Sequence, residues 1–349
     1  MSPNSPKLSP TPAAAATGQG VQHWEVSAEY AGQRIDNYLL ARLKGVPKTR
    51  IYKMLRTGEV RVNGGRIASD YRLGEGDRLR IPPVRVSANA PLDGNLQMAN
   101  SRVSPAMAKS VSEKIAVIME DEFVLAINKP VGLAVHGGSG VKLGVIEALR
   151  ATQALPFLEL VHRLDRETSG VMLLAKRRSA LTEFHRQLRE GGMRKRYLAL
   201  VWGVWPNGLE KIEAPLHKWV NAKGERWVRV QQDGQTAITR TRLLQQGSHP
   251  VFGDVAFVQC EPVTGRTHQL RVHLASVGCP IIGDPKYGLH ERDAQFGPRA
   301  SSVLATRMML HAWQLRCAAP KSGEPMHLVA EPDTLFAQAL ETLKFRRPH

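Results

Sequence analysis

The sequence predicts an α+β protein in two parts: a small basic α/β module, then a larger domain built on an antiparallel sheet. Three observations carry this. Short alternating or wholly apolar runs closed by turn residues recur along the chain and outnumber segments with helical spacing. Residues 86 to 113 are rich in Ser, Ala, Asn and Pro, lack sustained periodicity, and read as a flexible linker. The length of 349 residues suits two domains plus tails.

Composition narrows the partners. A formal net charge of +17 points to a polyanion, nucleic acid ahead of an anionic membrane surface. No run of 18 apolar residues exists, so a membrane-spanning helix is not expected. The start, Met1 to Gly20, is rich in Ser, Pro and Ala, and its apolar stretch Ala13 to Ala16 is too short for a signal peptide. Cys260, Cys279 and Cys317 lie far apart and without zinc spacing, which fits reduced thiols in a cytoplasmic protein.

Residues 1 to 22 hold too little apolar surface to offset ordering entropy and are expected as a disordered tail. Residues 23 to 85 form the basic module, opened by a strand at His23-Trp24-Glu25-Val26. From Ala31 to Arg85 there are 13 Lys and Arg against 5 Asp and Glu. Ile35, Leu39, Leu40 and Leu43 follow helical spacing, and Pro47 opens a second helix with Ile51, Met54 and Leu55 on one side. Arg50, Lys53 and Arg56 fall together on the other side, and Arg61 lies on the alternating strand that follows. A solvated helix face would look similar. The same sign on successive elements favours a surface for the RNA backbone.

The second domain, residues 114 to 349, begins with paired strands at Ile115–Ile118 and Phe123–Ile127. The loop Gly132 to Gly140, containing His136, has no Gly-Lys-Ser/Thr ending, so a nucleotide P-loop is not expected. At the centre stands Val161-His162-Arg163-Leu164-Asp165-Arg166-Glu167-Thr168-Ser169-Gly170, an exposed polar turn between two apolar runs that read as buried strands. Asp165 lies between two arginines, which suits a nucleophile or base rather than an acid. The structural alternative is an arginine–carboxylate pair pinning a turn. Ser179 is placed to cap a helix running to Glu190, and Lys195 to Trp202 alternates as a strand carrying Tyr197. His268 and His273 are five residues apart, about 140° around a helix and on opposite faces of a strand, so no metal site is expected. A late strand near Arg307–Leu315 and a helix Thr334–Lys344 close the domain.

The run from His162 to Gly170 resembles the catalytic motif of the RluA-type pseudouridine synthases. Lys195-Arg196-Tyr197, Thr264 to Leu274 and Ile281 to Gly288 match the same family in order. The N-terminal module resembles the small RNA-binding module of the ribosomal-protein S-four type. The resemblance implies the pseudouridine synthase fold, a mixed and largely antiparallel sheet with a central cleft. Asp165 would be the catalytic carboxylate, Arg271 its partner, Tyr197 the tyrosine stacked on the target base, and Leu270 an apolar wall of the uracil pocket. His162 and Arg163 are candidates to fill the vacated stack or hold a phosphate, with Arg266 and His268 as further substrate contacts. The implied reaction is isomerisation of uridine to pseudouridine in RNA, with no cofactor. Gly45-Val46-Pro47-Lys48 and Val135 to Gly140 resemble the C-type subclass, acting on 23S ribosomal RNA of the large subunit, with the D-type as runner-up. A monomer is expected.

Two other classes remain open on sequence. A non-catalytic ribosome-associated RNA-binding protein would not need Asp165, Tyr197 and Arg271 together. A glycoside hydrolase would need a second carboxylate about 5 to 10 Å from the first, and no second acid stands in a matching motif.

Overall fold

The computed structural model describes residues 20–43, 45–84, 104–137, 143–153, 155, 157–221, 224–296 and 304–347. The tail up to residue 19, linker positions 86–103, and Gly138, Ser139 and Gly140 lie outside the described residues. The chain divides into two units, Met1–Arg102 and Val103–His349.

The first unit runs β1 (Gln22–Glu25), α1 (Ile35–Arg42), α2 (Lys48–Thr57), β2 (Arg61–Val62) and β3 (Arg78–Ile81). The strands form an antiparallel sheet in the order β1-β3-β2. Helical spacing buries Ile35 and Leu39 on α1, and Ile51, Met54 and Leu55 on α2. Pro47, whose φ is fixed near helical values, immediately precedes α2. Gly58 ends it at a φ of 72° that disfavours side chains.

The second unit opens earlier than expected, with α3 (Pro105–Ser112) inside the stretch read as linker to residue 113. Proline at the first helical turn costs no hydrogen bond, so Ser104-Pro105 is a start signal that weak apolar periodicity concealed. Ala108 buries against Leu143 and Ala148, the latter on α4 (Val145–Thr152). Around this lies a sheet of ten strands: β4 (Ala116–Glu120), β5 (Val124–Lys129), β6 (Glu159–Leu160), β7 (Ser169–Ala175), β8 (Arg194–Trp202), β9 (Lys211–Glu213), β12 (Ile238–His249), β13 (Gly253–Pro262), β14 (Leu310–Ala318) and β15 (Pro325–Val329). Its main path is β4-β5-β7-β14-β8-β13-β12-β9, with β6 on β7 and β15 on β14. Among the described residues only β7 and β14 pair in parallel and the other pairings are antiparallel, in keeping with the largely antiparallel sheet that the family resemblance implied. Between β9 and β12 a separate hairpin, β10 (Leu216–Val220) with β11 (Arg226–Val230), was not expected from sequence. The helices are completed by α5 (Arg178–Glu190), α6 (Gln269–Ser276), α7 (His290–Gln295) and α8 (Thr334–Thr342).

Two local expectations change. The run before the central turn yields only the two-residue strand β6, because the chain leaves the sheet after Val161. Ser179 sits within the first turn of α5 rather than capping it, and Arg177 occupies the cap without a side-chain bond.

The middle of the sheet fixes the site. Ala312 on β14 lies opposite Gly170 on one side and Tyr197 on the other. Two spacings of about 4.8 Å therefore separate the strand after the central turn from the strand carrying Tyr197. This register needs glycine. Gly170 has a φ of +113°, and a Cβ there would stand 2.1 Å from the Ala312 carbonyl oxygen. Beside it Arg307 donates to Ser169 Oγ, and Ser169 Oγ lies 2.8 Å from Nδ1 of the fully buried His311. His311 Nε2 donates to the Ala330 carbonyl, so its lone pair on Nδ1 accepts the serine proton. Burial pushes this neutral imidazole down to about 4.

Two outcomes follow from this geometry. Gly170→Ala should lose about 3 kcal/mol or more by overpacking and strain. Gly132→Ala, also at positive φ but with open space, should lose only about 1 kcal/mol. Urea midpoints measure both, and equal midpoints would contradict the close-approach account. His311 has a folded pKa below its ordinary value of 6.5, so its contribution is complete above pH 6.5 and is lost as pH falls toward about 4. That contribution is on the order of 3 kcal/mol. Stability of His311→Gln should fall less steeply across that window, and an unchanged slope would show that His311 does not carry it.

Candidate active site

The central turn is held from behind by a lysine. Lys129 is fully buried, and its Nζ donates to the carbonyls of Pro130, Leu133 and Arg166 at 2.9 to 3.1 Å. Burial pushes Lys129 down to about 7, opposed chiefly by Glu167. Three carbonyls match the three N–H groups of an ammonium, so the charged form suits this position. The Gly132 amide donates to the Arg166 carbonyl, and Arg166 Nε returns a bond to the Gly132 carbonyl. The turn thus holds Asp165 at the wall of a cleft of about 720 Å³.

Across the cleft, α6 brings Arg271. Its Nη1 donates to Asp165 Oδ2 at 3.0 Å, joining residues that the sequence separates by more than a hundred positions. Its Nε and Nη2 grip both oxygens of Asp284 at 2.8 and 2.7 Å. Arg271 is buried, and although burial opposes its charge, Asp284 and Asp165 together raise its pKa. Asp284 is driven upward by burial and downward by Arg271, and the arginine wins, so it stays below the usual carboxylate range.

The other expected residues divide. Tyr197 and Leu270 are buried and line the same cleft as Asp165. Burial, reinforced by the Asp165 charge, raises the Tyr197 phenol, which therefore keeps its proton. His268 reaches in at the head of α6 with Nε2 3.9 Å from Asp165 Oδ2. It adopts a φ of 52°, a left-handed conformation that costs a non-glycine residue about 1 kcal/mol and concentrates at functional sites. Arg163 is exposed along the cleft, and Arg266 is fixed at the rim by a bond to the Thr236 carbonyl. His162 also lines the cleft, with its ring tied to the fold. Its Nε2 accepts the Leu173 amide, and burial with Lys195 nearby pushes it down to about 3. A neutral ring holds no phosphate by charge.

His273 has a structural role. Its Nε2 donates to the Ala214 carbonyl, and Nδ1 accepts from Thr239. Among the described residues no group of three or more His, Cys, Asp and Glu could hold a metal. The three cysteines are free and buried, with Cys260 pushed up to about 12 and Cys317 to about 11 by burial. In the first unit, Lys53, Arg56 and Arg61 are exposed, but Arg50 is not a free cation. It forms a two-pronged pair with Glu59 at 2.9 and 2.6 Å, nine residues on and beyond the reach of helical periodicity.

Sequence reasoning missed four site residues: Lys129, Lys195, Asp284 and Tyr287. Asp284 carried a usable signal, a lone carboxylate entering an apolar run at Ile281-Ile282-Gly283. Lys195 shares the Tyr197 face of β8 two residues away and lines the cleft, with burial lowering its pKa.

Residues 123–276 match the family model described as RNA pseudouridylate synthase, and residues 33–79 match the S4 domain. Over 320 residues the chain is 46% identical to ribosomal large subunit pseudouridine synthase C of Salmonella typhimurium, covering 91% of this chain and 95% of that protein. The chain belongs to the RluA-type pseudouridine synthases. The protein of the same name from Escherichia coli K12 is also 46% identical, over 92% of this synthase and 96% of its own length. Among solved structures, Human RNA Pseudouridylate Synthase Domain Containing 4 has a TM-score of 0.54 at 27% identity, covering 70% of this synthase and 98% of that chain. Human RNA Pseudouridylate Synthase Domain Containing 1 gives 0.53 at 26% identity, covering 66% and 88%.

The shared arginine yields a separation of roles. Arg271→Met in this synthase leaves Asp284 buried without compensation and should lose about 3 to 5 kcal/mol of stability along with activity. Adding Asp284→Asn should return much of the stability and none of the activity. Thermal melts and turnover measured on both variants check this; recovery of turnover in the pair would show that Arg271 serves only the fold.

Proposed function

We propose that this synthase isomerises specific uridines in 23S ribosomal RNA of the large subunit, with Asp165 as the reacting carboxylate. The observation that carries the site assignment is the Asp165–Arg271 contact inside a cleft also lined by Tyr197 and Leu270. The substrate assignment is supported by relatives of similar length named for the large ribosomal subunit. A uridine in a stack is out of reach, so it is flipped into the cleft, which costs a few kcal/mol. The N1–C1′ bond breaks, the uracil turns, a C5–C1′ bond forms, and the proton lost from C5 is balanced by one gained at N1. Asp165 acts as nucleophile or base, Arg271 aims it, and Tyr197 stacks on the base. Leu270 supplies the apolar wall, and Arg163 and Arg266 hold the backbone near the flipped nucleotide. The reaction needs no cofactor, since nothing is oxidised and no group comes from outside.

Lys53, Arg56 and Arg61 of the first unit supply sequence-independent attraction for the RNA backbone. The protein works as a cytoplasmic monomer. No described helix is long and apolar enough to cross a membrane.

Asp165→Asn should lower pseudouridine formation by at least ~10⁴-fold, about 5.5 kcal/mol of barrier, with RNA affinity nearly unchanged. Pseudouridine mapping in a deletion strain should show sites missing from 23S ribosomal RNA that the parent gene restores and the Asp165→Asn gene does not. Turnover within tenfold of the parent would sink the role of Asp165. Intact mapping in the deletion strain would sink the substrate.

A further inference from the structure

We infer that Tyr287 is a positioning residue that locks His268 in one tautomer, so that a fixed Nε2–H faces Asp165. The inference rests on Asp165 being the reacting carboxylate. The direction of each hydrogen bond follows from its neighbour. The backbone N–H of Val228, on β11, donates to Tyr287 Oη at 3.0 Å. The phenol's own proton needs an acceptor, and among the described residues the one within reach is His268 Nδ1, 2.8 Å away. With Nδ1 accepting, the single proton of a neutral imidazole resides on Nε2. Nε2 lies 3.9 Å from Asp165 Oδ2, the same oxygen that receives Arg271 Nη1.

A separation of 3.9 Å is longer than a hydrogen bond, and such catalytic contacts commonly tighten when substrate binds. In the opposite tautomer a nitrogen lone pair would face the carboxylate, which is repulsive. The left-handed backbone at His268 puts the ring in this place, and Tyr287 sets what the ring presents. Tyr287 is itself fixed. Its ring meets Trp227 edge-on at 5.7 Å and lies under the Arg271 guanidinium at 5.1 Å. The charged groups around His268 are Asp165, Arg271, Asp284 and Lys286, two of each sign, while burial lowers its pKa. Burial therefore favours the neutral ring, and the hydrogen bond to Nδ1 sets which nitrogen carries its proton.

Histidine ¹⁵N spectra of the full chain, with His268 assigned by substitution, test this directly. The parent should show a protonated Nε2 and an acceptor-type Nδ1. Tyr287→Phe keeps the ring and its packing but should shift the Nδ1 signal and let His268 gain a proton at higher pH. In turnover on a 23S ribosomal RNA transcript, Tyr287→Phe should lower kcat at least ~10-fold with KM unchanged. His268→Gln should lose at least as much, and the double variant no more than His268→Gln alone. An unchanged imidazole signature in Tyr287→Phe, or losses that multiply in the double variant, would overturn the relay. The spectra need no substrate, so their outcome is separate from the fate of Asp165→Asn, whose residual turnover judges the site assignment itself.

Discussion

The structure of the site depends on one guanidinium shared by two carboxylates. Arg271 is almost wholly buried and donates through three of its nitrogens, two bonds to Asp284 and one to Asp165. A buried arginine is tolerated only when its charge is matched and its donors are used. Asp284 meets that requirement on its own, which leaves the remaining nitrogen free to aim at the cleft without endangering the fold. The rigid planar fork makes the aim a consequence of the structural pair, since fixing two nitrogens fixes the third.

What brings the partners together is the middle of the sheet. β14 runs between β7 and β8, and Ala312 is in register with both Gly170 and Tyr197. The missing side chain at Gly170 lets the backbones approach at that point. Lys129 clamps the other side of the central turn through three carbonyls. A loop braced from two sides is a better support for a reacting carboxylate than a loop held at its ends alone.

The sequence made some of this legible and hid the rest for physical reasons. Asp165, Tyr197, Leu270 and Arg271 stand in contiguous motifs, so their identity could be read, and the fold brings them to one cleft. Pairings between distant elements could not. Glu59 neutralises Arg50 from beyond the helix end, and the Leu173 amide turns His162 into a neutral strut. Both partners lie outside the periodicities that sequence reading uses. The hairpin β10–β11 escaped because most of its strand residues are exposed and its buried apolar residues, Val228 and Leu216, pack in a small cluster with Ala237, Val272 and Tyr287. α3 escaped because alanines and serines give no stripe, although Pro105 marked its start.

The two carboxylates on the same arginine also differ in what can reach them. Asp284 has no exposed side-chain surface, and four donors hold it: Nη2 of Arg271 and the amides of Lys286 and Tyr287 on Oδ1, and Nε of Arg271 on Oδ2. Without exposed surface it offers an approaching sugar no path. Asp165 is 32% exposed at the cleft, and Arg271 binds one of its oxygens at close range. The difference also disposes of the glycoside-hydrolase reading. That chemistry needs a second acid that holds a proton to give away. Asp284, bound to the shared guanidinium, is kept ionised and sealed from solvent, so it is not that acid.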